Sequence, residues 1–226
     1  MRKTAAGTLL LLLAGSASQA APLPGFVLTG QTPRVSFYSR GENVDASKVE
    51  RRVAELERLL GQPLGRRVSY YRYATPQEVA AGTGHYAAGV TFAATGEVHS
   101  TEAFHDHELV HVVAGQLGDP GAFFQEGLAV ALAGKGRWQG RSPDGLARRA
   151  GELDLRAMAA GFDRFDPEVA YPVAGSFVSH LIRTHGLGQV VAFFRACGPG
   201  ADPLAEFARS FGRPLETEAT DWRRAL

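Results

Sequence analysis

Residues 107–111 read His-Glu-Leu-Val-His, and this segment constrains the chain more than any other. In an α-helix, side chains four residues apart lie on the same face, about one turn apart. The imidazoles of His107 and His111 could then bind one Zn²⁺ at about 2.0–2.1 Å, with Glu108 beside the metal as a candidate general base. The segment therefore predicts a helix that carries two metal ligands and a base.

A third protein ligand is expected, because a catalytic zinc site takes three and leaves its fourth position to water. Glu126 lies 15 residues after His111, in a segment predicted to be helical over residues 122–133. We predict that the metal helix covers residues 102–117, with Thr101 or Ser100 as its cap. At about 1.5 Å per residue, an antiparallel return of the second helix brings Glu126 within reach of both histidines. The alternative for Glu126 is an exposed carboxylate stabilised by the helix dipole.

The first 20 residues have the pattern of a secretory signal peptide. Arg2 and Lys3 form a basic start, residues 8–14 are apolar, and residues 18–20 supply small side chains for cleavage after Ala20. The apolar run is far shorter than the roughly 20 residues that span a bilayer, and no later segment is long enough. We therefore expect no stable membrane insertion after cleavage and a periplasmic or extracellular bacterial location.

The charge balance argues against a nucleic-acid-binding protein, and the cysteine content argues against a disulfide-stabilised one. Removing Arg2 and Lys3 leaves 22 of the 24 basic residues against 23 acidic ones, a formal charge of −1. This balance gives no support for nucleic acid as a partner. Cys197 is the only cysteine, so the chain forms no internal disulfide, and its apolar neighbours predict a buried, inert thiol.

Periodicity predicts an α+β fold in which a small N-terminal sheet layer precedes the metal helix and a mostly helical C-terminal half. Residues 21–33 are expected to be irregular. Strands are predicted at 35–39, 67–73, 87–94 and 97–101, and helices at 45–60, from 76, and near 143–160, 172–184, 187–196, 203–211 and 215–226. A glycine-rich loop at 134–145, around Trp138, is expected at the mouth of the site. We predict one domain over 21–226, with an α/β part to residue 101 and a helical part from residue 102.

Residues 107–111, together with Phe-Gln-Glu-Gly-Leu-Ala at 124–129, resemble the gluzincin clan of metallopeptidases, specifically the small peptidase-MA-like domains of bacteria. The resemblance covers roughly residues 35–226 and is looser outside the two metal segments. It differs from thermolysin-like enzymes in its shorter spacer and at Val130, where those enzymes have an aspartate. It implies a zincin-like fold, Zn²⁺ ligated by His107, His111 and Glu126, and Glu108 as the general base.

The resemblance also implies a donor for the developing oxyanion. Tyr171, just before Pro172 at a predicted helix start, is similar to the tyrosine that related enzymes place over the metal. A packing aromatic is the alternative for Tyr171, and His180 is the second candidate donor. His105 is expected to turn away from the face that carries the two ligand histidines.

The predicted function is zinc-dependent hydrolysis of peptide bonds, with a peptide or protein as substrate. One alternative is a non-catalytic, zinc-stabilised binding module, and another is an amide hydrolase acting on cell-wall peptides. A helix with two surface histidines is the structural alternative. Glu108 distinguishes the enzyme from the binding module, because a purely structural site needs no base.

Overall fold

A computed structural model describes residues 22–226. The predicted signal peptide, with its cleavage after Ala20, therefore lies outside the described residues. Over the described range the chain forms five strands, ten α-helices and one short 3₁₀ helix, which confirms the predicted α+β class. No helix within this range is both long and apolar enough to cross a membrane.

The five strands form one mixed sheet in the order β1-β2-β3-β5-β4. Their bounds are β1 (Val27–Gln31), β2 (Val35–Ser39), β3 (Val68–Arg72), β4 (Gly89–Phe92) and β5 (Glu97–Ser100). The central strands β2, β3 and β5 run parallel, while β1 and β4 pair antiparallel at the two edges. The sheet thus presents β4 as the edge strand next to the segment that leads into the metal motif.

The irregular lead-in predicted for residues 21–33 is wrong over Val27–Gln31, because β1 pairs with β2 there. Val27 and Leu28 are 60% and 50% exposed. Because β1 has no alternation of buried and exposed side chains, its sequence does not show the period of two that is typical of a strand. Pairing with β2, interrupted by an irregularity between Leu28 and Gly30, defines the strand instead.

The ten helices are α1 (Ala46–Leu60), α2 (Pro76–Thr83), α3 (Asp106–Ala114), α4 (Ala122–Leu132), α5 (Pro143–Arg149), α6 (Leu155–Ala160), α7 (Pro167–His185), α8 (Leu187–Ala196), α9 (Pro203–Phe211) and α10 (Leu215–Ala225). The 3₁₀ helix spans Phe162–Arg164. Asp45 caps α1 through the Lys48 amide, and the left-handed Gly61 ends it, as predicted. The single helix predicted over 143–160 is instead two, because Gly151 has φ 75° and Asp154 caps a new start.

The metal helix is shorter than predicted. It begins at Asp106 with His105 as an N-cap residue whose side chain makes no capping hydrogen bond, so a start at 102 with a Thr101 or Ser100 cap is wrong. The Ser100 hydroxyl instead accepts from the Glu102 amide at 2.9 Å and lies 2.9 Å from His105 Nδ1. These local hydrogen bonds hold a turn where the pattern predicted the first helical turn.

One hydrophobic core connects the sheet to the C-terminal helices. Phe37 on β2, Val110 on α3, Phe124 on α4, Phe177 on α7 and Trp222 on α10 all belong to it. A smaller cluster covers the other face of the sheet and consists of Phe26, Tyr38, Tyr71, Tyr73 and Val79. The helices that carry the predicted ligands are therefore embedded in the same core as the sheet.

Candidate metal centre

Helix α3 directs the two predicted histidine ligands toward one point. Its Leu109, Val110, Val112 and Val113 are fully buried against the core. Burying that face fixes the rotation of the helix, so His107 and His111 lie on the opposite, cleft-facing side. Their Nε2 atoms are 3.0 Å apart.

Helix α4 brings Glu126 to the same point. The Oε2 atom of Glu126 lies 2.9 Å from His107 Nε2 and 3.2 Å from His111 Nε2. The buried Phe123 and Phe124, one turn or less before Glu126, anchor the start of the helix in the core. The structure thus brings together all three residues predicted as metal ligands.

The donor set fits a zinc ion. Among the described residues, these three form the group whose ligand atoms all lie within 4.8 Å of one another and could hold a metal ion. Ligand atoms about 2.0–2.1 Å from a tetrahedral Zn²⁺ lie about 3.3 Å from each other. The separations of 2.9, 3.0 and 3.2 Å are within a few tenths of an ångström of that spacing. Two imidazoles and one carboxylate are also a ligand chemistry typical of catalytic zinc.

The charges in this cluster reinforce one another. Burial favours the neutral form of Glu126, but hydrogen bonds from His107 and His111 outweigh burial and lower the pKa of its carboxyl to about 2. Burial likewise opposes the charged form of His111, but the hydrogen bond to Glu126 and the charges of Glu126 and Glu108 raise its pKa. The cluster is therefore a strongly polarised site in which Glu126 stays anionic.

Glu108 lies beside the cluster with its side chain largely buried, at 7% exposure. The Thr91 hydroxyl lies 2.7 Å from Glu108 Oε2 and 3.1 Å from the Glu108 carbonyl oxygen. A Cβ on Gly89 would lie 2.7 Å from Glu108 Cγ and 2.5 Å from the His105 ring, so only glycine lets β4 approach this closely. Thr91 is a site residue that the sequence analysis missed, since an isolated threonine on a short strand carries no recognisable motif.

Tyr171 also reaches the site, although it does not precede a helix start as predicted. Helix α7 begins at Pro167 after an Asp166 cap, and Pro172 lies inside it. The Tyr171 ring is 6.1 Å from the His107 ring, and its hydroxyl makes no hydrogen bond within residues 22–226. Burial, followed by the nearby Glu126 and Glu108 carboxylates, raises the pKa of Tyr171, so the phenol stays protonated and able to donate.

These groups line an open cleft of about 1470 Å³. The cleft is lined by the edge strand β4 with the segment before it, by the start of α7 and by the loop around Trp138. The prediction that this loop lies at the mouth of the site is confirmed, since Arg137, Trp138 and Gln139 all border the cleft.

The remaining candidates have structural partners. His180, the second candidate donor, lies 3.2 Å from the buried carboxylate of Glu218 on α10, to which His185 and Arg213 also pair. His105 borders the cleft but is not part of the ligand cluster. Cys197 is buried as predicted, and burial raises the pKa of its thiol to about 11, which suppresses the reactive thiolate.

No protein-family model, curated protein or solved structure matches this chain. The interpretation of the cleft therefore depends on the residues and distances described above.

Proposed function

We propose that this chain is a zinc metallopeptidase of the gluzincin type, with a zincin-like arrangement of its sheet and metal helices. The observation that carries the proposal is the convergence of His107, His111 and Glu126 on one point, with Glu108 beside them in an open cleft. A zinc ion held by these ligands would polarise the scissile carbonyl and acidify a water molecule.

The residues of the chain supply the proton transfers. Glu108 takes the proton of the attacking water and delivers it to the leaving amine, the role of a general base that then acts as an acid. Its hydrogen bond from Thr91 orients the carboxylate for that task. The hydroxyl of Tyr171, which has no hydrogen-bond partner among residues 22–226, donates to the oxygen on which negative charge develops.

The edge strand supports a peptide or protein as substrate. β4 pairs with β5 on one side only, and Gly89, Val90 and Thr91 border the cleft. An extended peptide could add to such an edge through main-chain hydrogen bonds, which places a peptide bond alongside Glu108. The basic start and apolar run of residues 1–20 support action on peptides in the periplasm or outside the cell, and the near-neutral charge offers nothing to nucleic acid.

The proposal is tested with mature protein, as wild type and as Glu108→Gln. Zinc content is measured by elemental analysis, and cleavage is followed on a mixed peptide library and on cell-wall peptides. Glu152→Gln is the matched control, because Glu152 is exposed and lies on the loop before α6, outside the cleft lining. We expect one zinc per chain in all three proteins and cleavage lost only in Glu108→Gln.

The other outcomes separate the alternatives. Zinc in every protein with no cleavage in any favours the non-catalytic binding module. Cleavage confined to cell-wall peptides favours the amide hydrolase. A wild-type protein that takes up no zinc refutes the metal site itself.

A further inference from the structure

The loop that carries Trp138 has a defined backbone shape. We name residues 134–141 the strap. Lys135 and Gln139 have φ 59° and 48°, and glycines 134, 136 and 140 also have positive φ. Within the strap, Trp138 and Arg141 exchange two backbone hydrogen bonds, of 3.1 and 2.9 Å. The strap therefore folds back on itself in a tight turn closed by these two hydrogen bonds.

The strap is attached to the metal helix at its first residue. The Gly134 amide donates to Asp106 Oδ2 at 2.9 Å, while Asp106 Oδ1 accepts from Arg52 at 2.6 Å. Asp106 directly precedes His107, so the strap begins at a fixed distance from the metal cluster.

At its other end the strap is attached to α7. Gln139 Nε2 and Arg141 Nη2 donate to the two carboxylate oxygens of Glu168, at 2.9 and 3.0 Å. Glu168 lies one helical turn before Tyr171, so these two bonds bring the middle of the strap onto Tyr171.

The middle of the strap is Trp138, whose indole stacks on Tyr171. The ring centroids are 4.8 Å apart at an interplanar angle of 27°. The centroids of the Trp138 and His107 rings are 6.3 Å apart. The Phe162 ring packs against the Tyr171 ring, with the two ring centroids 5.4 Å apart. Since the Tyr171 hydroxyl has no hydrogen-bond partner among the described residues, these ring contacts are what orient it.

We propose that Trp138 is a positioning residue for Tyr171, and that the strap exists to hold it there. This inference deepens the proposed function, because it gives the loop at the cleft mouth a role in orienting the oxyanion donor. Displacing a donor by about 1 Å can lower the rate as much as a hundredfold. A residue that holds the Tyr171 ring in place would therefore have a large effect on the rate. The competing role for Trp138 is a wall that binds substrate without acting through Tyr171.

Kinetics on a cleaved peptide distinguish the two roles. We expect Tyr171→Phe to lower kcat about a hundredfold, as removal of one oxyanion donor does. Trp138→Leu should lower kcat about tenfold or more with little change in KM, and Trp138→Phe should recover most of the loss. In the double variant the loss should equal that of Tyr171→Phe alone, because Trp138 acts through that hydroxyl. Losses that multiply, or a rise in KM with kcat unchanged, would overturn the proposal.

A second measurement does not need activity. Trp222 is 1% exposed, so acrylamide quenching of the tryptophan fluorescence reports on Trp138, with Trp138→Phe giving the baseline. Glu168→Ala removes the two hydrogen bonds that attach the strap to α7, and Tyr171→Ala removes the ring on which the indole stacks. Each should therefore raise the quenching at least about twofold. Glu152→Gln, which changes an exposed residue outside both the strap and the cleft lining, should leave quenching, zinc content and kcat unchanged.

The two measurements fail in different ways. If wild-type protein binds zinc but cleaves no peptide, the proposed function is refuted. The proposed role of the strap in catalysis is then refuted as well. Quenching that does not respond to Glu168→Ala or Tyr171→Ala refutes the hold of the strap on Trp138, even if the enzyme is active.

Discussion

At the scale of single residues, the part of the chain that the structure describes supplies one hydrogen bond to the Glu108 carboxylate, from the Thr91 hydroxyl. The Thr91 hydroxyl has one proton and two acceptors within reach, of which the Glu108 carboxylate at 2.7 Å is the nearer. A hydrogen bond from a neutral donor to a carboxylate is stronger than one between neutral groups. Thr91 therefore fixes the direction of the candidate base relative to the edge strand.

Replacing Thr91 tests this interaction. Thr91→Val keeps the shape of the side chain but removes the donor, so we expect kcat to fall about tenfold, equivalent to roughly 1.4 kcal/mol, with zinc content unchanged. Thr91→Ser keeps the hydroxyl and should retain most of the activity. Peptide cleavage and elemental analysis measure both effects, and equal activity in the two variants would contradict a role for the hydroxyl.

The sequence identified the cluster but not its supports. His107 and His111 follow from helical spacing, which decides which side chains share a face. Glu108 follows from its place between them, and Glu126 from an antiparallel return of the second helix. Thr91, Trp138 and Glu168 contact the site from elements distant along the chain. Their contributions depend on strand pairing and loop conformation, which no local pattern specifies.

At the scale of elements, the packing of α4 against α7 depends on two glycines. A Cβ on Gly127 would lie 2.5 Å from Val178 Cγ2 and 2.7 Å from the Ala174 carbonyl oxygen. A Cβ on Gly175 would lie 2.2 Å from Val130 Cγ1. Both positions thus let the helix that carries Glu126 approach the helix that carries Tyr171.

Gly127→Ala should therefore separate the two helices. We expect a loss of about 1–3 kcal/mol in the free energy of unfolding from overpacking. Weaker zinc binding should accompany it, because Glu126 is the preceding residue. Denaturant unfolding and a zinc titration measure the two effects.

Gly188→Ala is the matched control, since nothing lies within 4 Å of a Cβ added there in α8. It should be neutral or should raise stability by up to about 1 kcal/mol, as alanine normally does in place of glycine within a helix. If Gly127→Ala were equally harmless, the close approach would not be needed for stability.

The boundaries of the helices show where prediction from local sequence patterns fails. The pattern correctly predicted α1, whose apolar spacing, Asp45 cap and Gly61 stop all agree. It failed at α3, where Ser100 bonds into a turn instead of capping the helix, and at α7, where Pro172 looked like a start but lies inside. Helix α3 begins without a side-chain cap, whereas Asp166 caps α7 at an earlier start than the one predicted.

At the scale of the whole molecule, the helices that carry the ligand cluster share one hydrophobic core with the sheet and the C-terminal helices. Anything that binds only the folded cluster stabilises the entire fold by mass action. The order β1-β2-β3-β5-β4 could not be read from the sequence, because it depends on pairings between segments far apart in the chain. The α+β class was predictable, since it needs only the types of the elements.

Zinc should therefore raise the free energy of unfolding of the full protein. At a free zinc concentration about a thousand times its Kd, the expected gain is about 4 kcal/mol. Glu108→Gln should keep this gain, whereas Glu126→Gln should lose most of it. Thermal unfolding of chelator-treated protein with and without added zinc measures the difference, and an equal response from Glu126→Gln would argue against Glu126 as a ligand.

The closeness of the three predicted ligands along the chain has a consequence for how the protein matures. His107, His111 and Glu126 fall within 20 consecutive residues, and one turn separates their two helices. Closing so short a loop costs little chain entropy, so the helix pair can form early in folding. Tyr171 lies on α7, 45 residues further along the chain, and joins the site only when α7 docks. We expect a folding chain to be able to capture its metal before its cleft is complete.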